Sequence, residues 1–165
     1  MEAAVWGFIG TLVGALASLG GTWLTNHNAR TLHAEALKLE RDEKARAFQR
    51  DTLIALQDAV HDLLRLIARG HHEDILAFRE TGKWGKTLLT NEVSDGQMLA
   101  RRHMLILLER VLNDALRTQV KDLNAKLTEI SFAVNETDAH RLWDSASIHG
   151  LEVLEHIGKA LRAQY

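Results

Sequence analysis

The sequence of 165 residues contains no cysteine and no proline, and each absence excludes a class of structure. Without cysteine the chain cannot form disulfides, thiolate zinc sites or cysteine-ligated iron–sulfur clusters. Average usage would place roughly eight prolines in a chain of this length. Their absence, together with abundant alanine and leucine, argues against a turn-rich β fold. We therefore predict an all-α protein.

A large excess of one charge is also missing. The 20 Lys and Arg residues nearly balance the 22 Asp and Glu residues, which gives a net charge of −2. A protein without a strong positive field has little attraction to phosphate backbones, so we expect no nucleic-acid partner. The sequence contains no glycine-rich phosphate loop, Gly-x-Ser-x-Gly elbow or recognisable nucleophile–base pair. We expect neither an enzyme nor a bound cofactor.

Hydrophobic residues are concentrated near the N-terminus. Residues 3–25 (AAVWGFIGTLVGALASLGGTWLT) form a run of 23 residues without a charged side chain. As a helix this run would be about 35 Å long, which exceeds a bilayer core of about 30 Å. Trp6 and Trp23 lie near its two ends, where aromatic residues meet the membrane interfaces. We predict a transmembrane helix in residues 1–25, in contact with membrane lipid.

Two other kinds of segment share this apolar character. The sequence Ala15-Leu16-Ala17 resembles the cleavage site of a secretory signal peptide. However, Glu2 is the only charged residue before Arg30, so the positively charged start of a signal peptide is missing. A buried helix of a soluble domain is the other alternative, and apolar stretches of this length are rare there. We therefore prefer the membrane span.

Basic residues near the span predict its orientation. None precedes the span, while four follow it within about 20 positions, namely Arg30, Lys38, Arg41 and Lys44. Because positive charge stays on the cytoplasmic side, we expect the N-terminus outside and the C-terminal domain in the cytoplasm.

A helical projection of the span separates small residues from large ones. Glycine and hydroxyl residues occupy one broad face, whereas the bulky side chains lie elsewhere; the residues of this face are Gly7, Gly10, Thr11, Gly14, Ser18, Gly21, Thr22 and Thr25. Within this glycine face, Gly10-x-x-x-Gly14 has the spacing that lets membrane helices approach closely. We predict a homo-oligomer whose spans pack through the glycine face.

The hydroxyl groups on the glycine face have two alternative roles. Several copies arranged in a ring could use them to line a narrow water-filled path. Alternatively, each hydroxyl could bond to a backbone carbonyl one turn back, as membrane Ser and Thr commonly do.

The pattern changes twice after the span. Residues 26–52 are strongly polar, with pairs such as Glu40 and Lys44 four residues apart, and predict a solvated helical stalk. Residues 53–165 predict an elongated antiparallel bundle of three long helices and one short helix. The first long helix carries apolar residues three and four positions apart, at Leu53, Leu56, Val60, Leu63, Leu64 and Ile67. Gly70 suits its end, and residues 71–79 would form the short helix.

The remaining segments complete this predicted bundle. Residues 81–96 should form an irregular connection, in which Trp84 packs on the bundle. Apolar residues spaced three or four apart predict one long helix over residues 97–134. The sequence Asn135-Glu136-Thr137-Asp138 is typical of the start of the last helix. Because short connections favour antiparallel neighbours, the third helix should return toward the membrane and the last should lead away.

Histidine clusters raise the question of a metal site. His149, Glu152 and His156 lie three and four positions apart on one predicted helical face and could ligate a transition metal. Di-iron bundles instead use Glu-x-x-His pairs together with further glutamates, and this spacing differs. We expect a polar face that hydrogen-bonds between helices, and no metal.

Arg65 and His71 form an Arg-x5-His pattern. It resembles the Arg-x4-6-His signature of the four-helix HEPN ribonucleases, in which paired subunits contribute both residues to RNA cleavage. A polar residue usually follows the arginine in that family, and the motif lies near the start of a late helix. Here Leu66 follows, and the motif closes the first cytoplasmic helix. These departures argue against ribonuclease activity.

The layout of one N-terminal span followed by a cytoplasmic helical bundle resembles small bacterial membrane proteins. It is similar to the membrane accessory proteins of type VI-B CRISPR systems. That resemblance implies the bacterial cytoplasmic membrane, a ring-shaped, pore-like assembly and a role in phage defence. Together with the glycine face, it predicts a homo-oligomeric protein that forms a pore or permeabilises the membrane. The alternative is a non-conducting anchor whose bundle recruits a cytoplasmic protein partner.

Overall fold

The computed structural model describes residues 2–85 and 89–165, and within these ranges it contains helices and no strands. The prediction of an all-α fold is therefore confirmed. The four helices are α1 (Glu2–Thr81), α2 (Asn91–Leu108), α3 (Asp114–Ile130) and α4 (Glu136–Arg162). The chain divides into two units, residues 1–45 and residues 46–165. The first unit is helical, and the second is a four-helix bundle.

The core of the bundle follows the spacing of apolar residues along each helix. Within residues 46–81, α1 buries every third or fourth side chain, as helical periodicity requires when one face is covered. Its buried apolar residues are Leu53, Leu56, Val60, Leu63 and Ile67. Residues from α2, α3 and α4 complete the same cluster, including Met104, Leu108, Val120, Leu123, Val153 and Ile157. Burying one such side chain contributes about 1.5–3 kcal/mol. This buried cluster, the apolar seam, is therefore the main source of stability.

Each helix in the bundle is antiparallel to the helices next to it in sequence. On α2, the Gln97 amide nitrogen donates to the Leu66 carbonyl at 3.0 Å, whereas the Arg110 carbonyl lies beside Gln49. On α4, His140 lies beside His71 and Gly150 lies against Leu64. Contacts with higher residue numbers on α2 and α4 are made with lower residue numbers on α1, so both helices run antiparallel to α1.

The predicted direction of the last helix was wrong. The ring of Tyr165 lies 5.2 Å from the guanidinium carbon of Arg50. The chain after α4 therefore ends beside the start of the bundle, instead of leading away from it. The extra chain reversal between α2 and α3 causes the difference.

The first helix does not end at Gly70, as the sequence suggested. Instead α1 continues to Thr81, and the predicted short helix at residues 71–79 is its last part. A Cβ atom on Gly70 would lie 2.6 Å from the Gln97 amide nitrogen. The Gln97 side chain thus fills the space beside Gly70, which lies inside α1 and does not terminate it.

The long helix predicted over residues 97–134 is also wrong. α2 begins earlier, at Asn91, and the chain turns between Leu108 and Asp114. The amides of Arg110 and Val111 bond to the carbonyls of Leu107 and Leu108, at 2.9 and 3.2 Å. The side chain of Asn113 then caps α3 by accepting from the Leu116 amide at 3.0 Å.

The apolar spacing did not reveal this turn, because buried apolar residues continue from α2 through the turn into α3. Leu108 at the end of α2, Val111 in the turn and Leu116 in α3 are all buried. Three residues of the spacing that predicted one long helix are exposed, namely Leu105, Leu112 and Val134, whereas the buried Val111 was not part of it. The periodic pattern identified most of the buried residues, but it did not show that the helix is interrupted between them.

Gln49 fixes the turn between α2 and α3. Its side chain is only 7% exposed, and it bonds to two backbone groups of the turn. The amide nitrogen donates to the Arg110 carbonyl at 2.8 Å, and the amide oxygen accepts from the Leu112 nitrogen at 3.1 Å. A side chain with both a donor and an acceptor is required for this pair of contacts.

Two smaller predictions are confirmed. The Asn135 side chain accepts from the Asp138 amide at 2.8 Å and caps α4. Trp84 packs on the bundle, where its indole nitrogen donates to the Ala133 carbonyl at 3.0 Å. The irregular connection predicted over residues 81–96 is shorter, because α2 begins at Asn91, and residues 86–88 lie outside the described residues.

Replacing Gln49 with alanine should loosen the turn between α2 and α3. Two hydrogen bonds to backbone groups of the turn are lost, each worth about 0.5–1.5 kcal/mol, so we expect a loss of about 1–3 kcal/mol in the free energy of unfolding. Hydrogen exchange at Leu112 should accelerate more than exchange within α3. The matched control is Gln57→Ala on the same helix, since the described residues give the Gln57 side chain no hydrogen bond. Equal losses in both variants would contradict the role of Gln49.

Candidate functional site

The N-terminal unit provides the first candidate site. Among the described residues, α1 is the one helix long and apolar enough to cross a membrane. Its apolar window lies near the N-terminus, where signal sequences also lie, and none of that window is buried within the chain. These side chains therefore depend on a surrounding apolar phase or on other helices for cover.

The glycine face is open for close contact with another helix. The structure places nothing within 4 Å of the Cβ position of any of its glycines, which are Gly7, Gly10, Gly14 and Gly21. Gly20 is equally open, but it lies on a different side of the helix by the 100° rotation per residue. The small residues therefore leave one side of the helix unfilled by the chain's own side chains.

The three threonine hydroxyl groups of the glycine face bond to their own helix. Thr11 donates to the Gly7 or Phe8 carbonyl at 2.9 Å, and Thr22 donates to the Ser18 carbonyl at 2.9 Å. Thr25 donates to the Gly21 carbonyl at 2.8 Å. These contacts correspond to the second of the two roles inferred from sequence, in which the hydroxyls satisfy backbone carbonyls. A hydroxyl that donates in this way keeps its acceptor lone pairs.

Trp6 and Trp23, predicted at the membrane interfaces, are both exposed. The ring of Trp23 stacks on His27, with 5.6 Å between centroids and an interplanar angle of 10°. This stacked pair places an amphipathic surface at the end of the apolar run, where polar residues begin.

A cluster of aromatic and histidine rings in the bundle is the second candidate site. His71 is only 7% exposed, and its Nε2 lies 3.3 Å from Nδ1 of His140. Its ring stacks on Trp143 at 5.9 Å and meets the edge of Trp84 at 6.5 Å. A cleft of about 300 Å³ opens beside these rings, lined by Ala68, His71, His72, Ile75, His140 and Trp143.

The contacts of His140 indicate which nitrogens carry protons. Nε2 of His140 faces the Glu136 carboxylate at 3.9 Å, which favours a proton on that nitrogen. Nδ1 of neutral His140 is then an acceptor, and His71 Nε2 donates to it. Nδ1 of His71 is left as a bare lone pair. It is buried and has no hydrogen-bond partner among the described residues.

The surroundings of His71 disfavour its charged form. Burial lowers the pKa of His71 below its usual value, and the neighbouring His140 lowers it further. The carboxylates of Asp144 and Glu136 oppose this change, whereas His72 adds to it. His71 is therefore a neutral ring in the folded protein that resists taking up a proton.

Sequence reasoning missed this cluster because it ended the helix at Gly70. Once α1 continues, His71 lies four residues after Ile67 and takes the next position on the buried face. His140 and Trp143 follow the buried Ala139 by one and four residues. The spacing of Val60, Leu63, Ile67 and His71 is the signal that would have found it.

The two chemical sites considered from sequence do not assemble. Arg65 is 75% exposed and pairs with Asp62 at 3.1 Å, whereas His71 is buried. The two residues of the ribonuclease-like pattern therefore do not converge within one chain.

The predicted metal-ligand set is also dispersed. His149 contacts Glu152 at 3.3 Å, but His156 bonds to Gln119 of α3 at 2.8 Å. No group of three potential ligands that could hold a metal ion occurs among the described residues. The contact between His156 and Gln119 is the interhelical hydrogen bond that the sequence suggested for this face.

A broad groove on α2 is a third candidate. It has a volume of about 750 Å³, and its lining includes Gln97, Met98, Arg101, Arg102, Leu105 and Ile106. Nε of Arg101 is buried without a hydrogen-bond partner among the described residues. Burial lowers the pKa of Arg101. The groove therefore combines exposed apolar side chains with guanidinium groups.

We expect the bundle to lose stability in mild acid because of His71. Its folded pKa is lowered, so the unfolded chain binds more protons once the pH falls below about 6.5. The Tm should be highest above about pH 6.5. It should fall by a few degrees as the pH drops below that value, and stay constant once the pH is below the pKa of His71 in the folded protein. The measurement is Tm against pH for the wild type, for His71→Phe and for the exposed control His61→Phe. A slope that persists unchanged in His71→Phe would exclude His71 as its source.

Comparison with protein-family models, with curated proteins and with solved structures found no match. Function is therefore inferred from the residues of this chain and their geometry.

Proposed function

We propose that the protein is a homo-oligomeric, single-pass membrane protein that forms a pore-like, membrane-permeabilising assembly. The N-terminal apolar part of α1 spans the cytoplasmic membrane with the N-terminus outside, and the bundle lies in the cytoplasm. Copies pack through the glycine face. A role in bacterial phage defence extends this proposal and rests on the resemblance of layout alone.

The open glycine face is the observation that carries the proposal. Its glycines have no side chain of the same chain near them, although the helix is apolar enough for a membrane. Membrane helices gain little from hydrophobic burial against each other, because lipid tails are equally apolar. They associate by close backbone packing, which an open glycine surface permits. A second copy supplies the same surface in return.

The hydroxyls add a route for polar solutes. Their donors are satisfied by backbone carbonyls, so the helix is stable in lipid. In a ring with the glycine face turned inward, their lone pairs would line the lumen and accept hydrogen bonds from water. Permeability to water and small ions is the expected effect.

Replacing Gly14 with leucine should separate the spans. The added side chain fills the surface that close packing needs, and we expect association to weaken about tenfold, equivalent to about 1.4 kcal/mol. The measurements are the oligomer mass of the full chain in lipid nanodiscs and ion flux through liposomes. Gly10→Leu should behave in the same way.

Gly20→Leu is the matched control. It makes the same substitution in the same helix, at a position equally open but off the glycine face. It should leave the mass and the flux unchanged. If Gly10→Leu and Gly14→Leu also leave both unchanged, packing through the glycine face is excluded.

A non-conducting anchor is the second candidate, and the threonine contacts favour it. Thr11, Thr22 and Thr25 each donate to a carbonyl of the same helix. Side chains engaged in this way suit a span that only packs or anchors. The bundle would then recruit a cytoplasmic protein, and the membrane segment would carry no solute.

Exchanging the span separates the two candidates. Residues 3–25 are replaced by an unrelated apolar helix of equal length without small-residue faces. If the protein forms a pore, this variant should lose ion flux in liposomes and also lose its biological activity in cells. If the span is only an anchor, the variant should retain its activity in cells. Retained cellular activity together with absent flux in the wild type would overturn the pore in favour of the anchor.

A further inference from the structure

We propose that the bundles of neighbouring copies pack side by side, with α2 of one copy against α4 of the next. This arrangement rests on the proposed function in one respect, since it requires that copies associate. It adds an interface outside the membrane and fixes how one bundle faces another.

The first surface is the α2 patch, formed by Met98, Arg102, Leu105, Ile106 and Glu109. Met98 is 63% exposed, and Leu105 and Ile106 are also exposed large apolar residues. Arg102 is exposed, and no carboxylate pairs with it among the described residues. Four apolar or cationic residues and one glutamate thus form a surface that the chain itself does not cover.

The second surface is the α4 patch, formed by Asp144, Ile148, Leu151 and Glu155. These residues lie four, three and four positions apart, so they form one stripe along the outer side of the helix. Ile148 is 63% exposed and Leu151 is 69% exposed. Carboxylates stand at both ends of this apolar pair, whereas the centre of the α2 patch carries Arg102.

The two patches lie at the same level of the bundle. Gly96 of α2 lies against Leu66, and Gly150 of α4 lies against Leu64. Leu64 and Leu66 differ by about 3 Å along α1, so the levels of α2 and α4 can be compared directly.

Counting along both helices from these contacts gives the matching residues. Met98 falls between the levels of Ile148 and Leu151, and Arg102 falls within about one residue of Glu155. Glu109 falls within about one residue of Arg162 and two of Lys159. Met98 therefore faces an apolar pair, whereas Leu105 and Ile106 fall between the levels of Glu155 and Lys159. Charges of opposite sign face each other twice without any shift along the helix axis, although Glu155 also pairs with Lys159 of its own helix at 2.7 Å and Glu109 with Lys121 at 4.0 Å.

The directions of the helices fit an assembly in one membrane. Both α2 and α4 run antiparallel to α1, so they are parallel to each other. Pairing them between copies keeps every bundle in the same orientation, and every chain enters its bundle at the same end. An antiparallel pairing of two α2 helices would instead reverse one bundle. The heterologous pairing repeats from copy to copy and closes into a ring when the rotation permits.

The chain offers a clean cross-linking test because it contains no native cysteine. Met98→Cys and Leu151→Cys are made separately in the full chain, co-expressed, and oxidised in native membranes. We expect disulfide-linked dimers only when the two variants are mixed. The double variant should give a ladder that ends at the size of the assembly. The control pair combines Met98→Cys with Ala125→Cys on the exposed side of α3 and should give none.

The outcomes separate this interface from the proposed function. An oligomeric mass without cross-links, or dimers from Met98→Cys alone, would overturn the α2–α4 interface and leave homo-oligomerisation standing. Cross-links without ion flux would support the interface and contradict the pore. A monomeric mass without cross-links would overturn both.

A charge exchange tests the contact between Arg102 and Glu155. Arg102→Glu should shift the full chain toward smaller species by about tenfold, equivalent to about 1.4 kcal/mol. Adding Glu155→Arg should restore the assembly, because the pair is then reversed and not lost. Lys126→Glu on α3 is the matched control and should have no effect. Failure of the double variant to restore assembly would contradict this contact.

Discussion

The chain reversal between α2 and α3 determines the rest of the bundle, and Gln49 holds it through two hydrogen bonds. Without the reversal, residues 91–130 would form one helix and could not cover α1 twice. With it, α3 runs beside α4, and α4 returns to the start of the bundle. Most of the stability still comes from burial of the apolar seam, whereas the side-chain amide of Gln49 holds the turn that brings its residues together. A buried amide acts here as a specificity device, since its donor and acceptor each fit one backbone group.

The sequence predicted the fold class well because its main signals are local. Proline is absent, apolar residues repeat every three or four positions, and Asn135 offers a cap; each acts within a turn or two of helix. The wrong end of α1 and the missed turn between α2 and α3 both involve long-range contacts. Gly70 lies inside α1, where the side chain of Gln97, 27 positions later in the sequence, packs beside it, and the turn near Val111 is bonded to Gln49. Neither partner can be identified from spacing along one helix.

The candidate sites also divide into one that lies within a single helix and others that form between helices. The glycine face was visible in the sequence because it lies on one helix with a regular repeat. The ring cluster around His71 was not, since it needs the continued helix and residues from α4. The α2 and α4 patches required the bundle as well, because their levels are compared through contacts with α1.

The ring cluster and the patches differ in what they contribute. The ring of His71 is buried beside His140 and Trp143, so it links the stability of the bundle to pH. The patches face outward with unlike charges, so they concern contacts between copies. A protein with no recognisable catalytic motif can in this way act through assembly, with its surfaces as the functional groups.

The mass of the wild-type full chain in lipid nanodiscs is the most direct test of homo-oligomerisation in the membrane. Native mass spectrometry counts the copies in each assembly without any substitution. The account predicts one defined oligomer of several copies, retained after dilution. A single copy in each nanodisc at all protein-to-lipid ratios would contradict it.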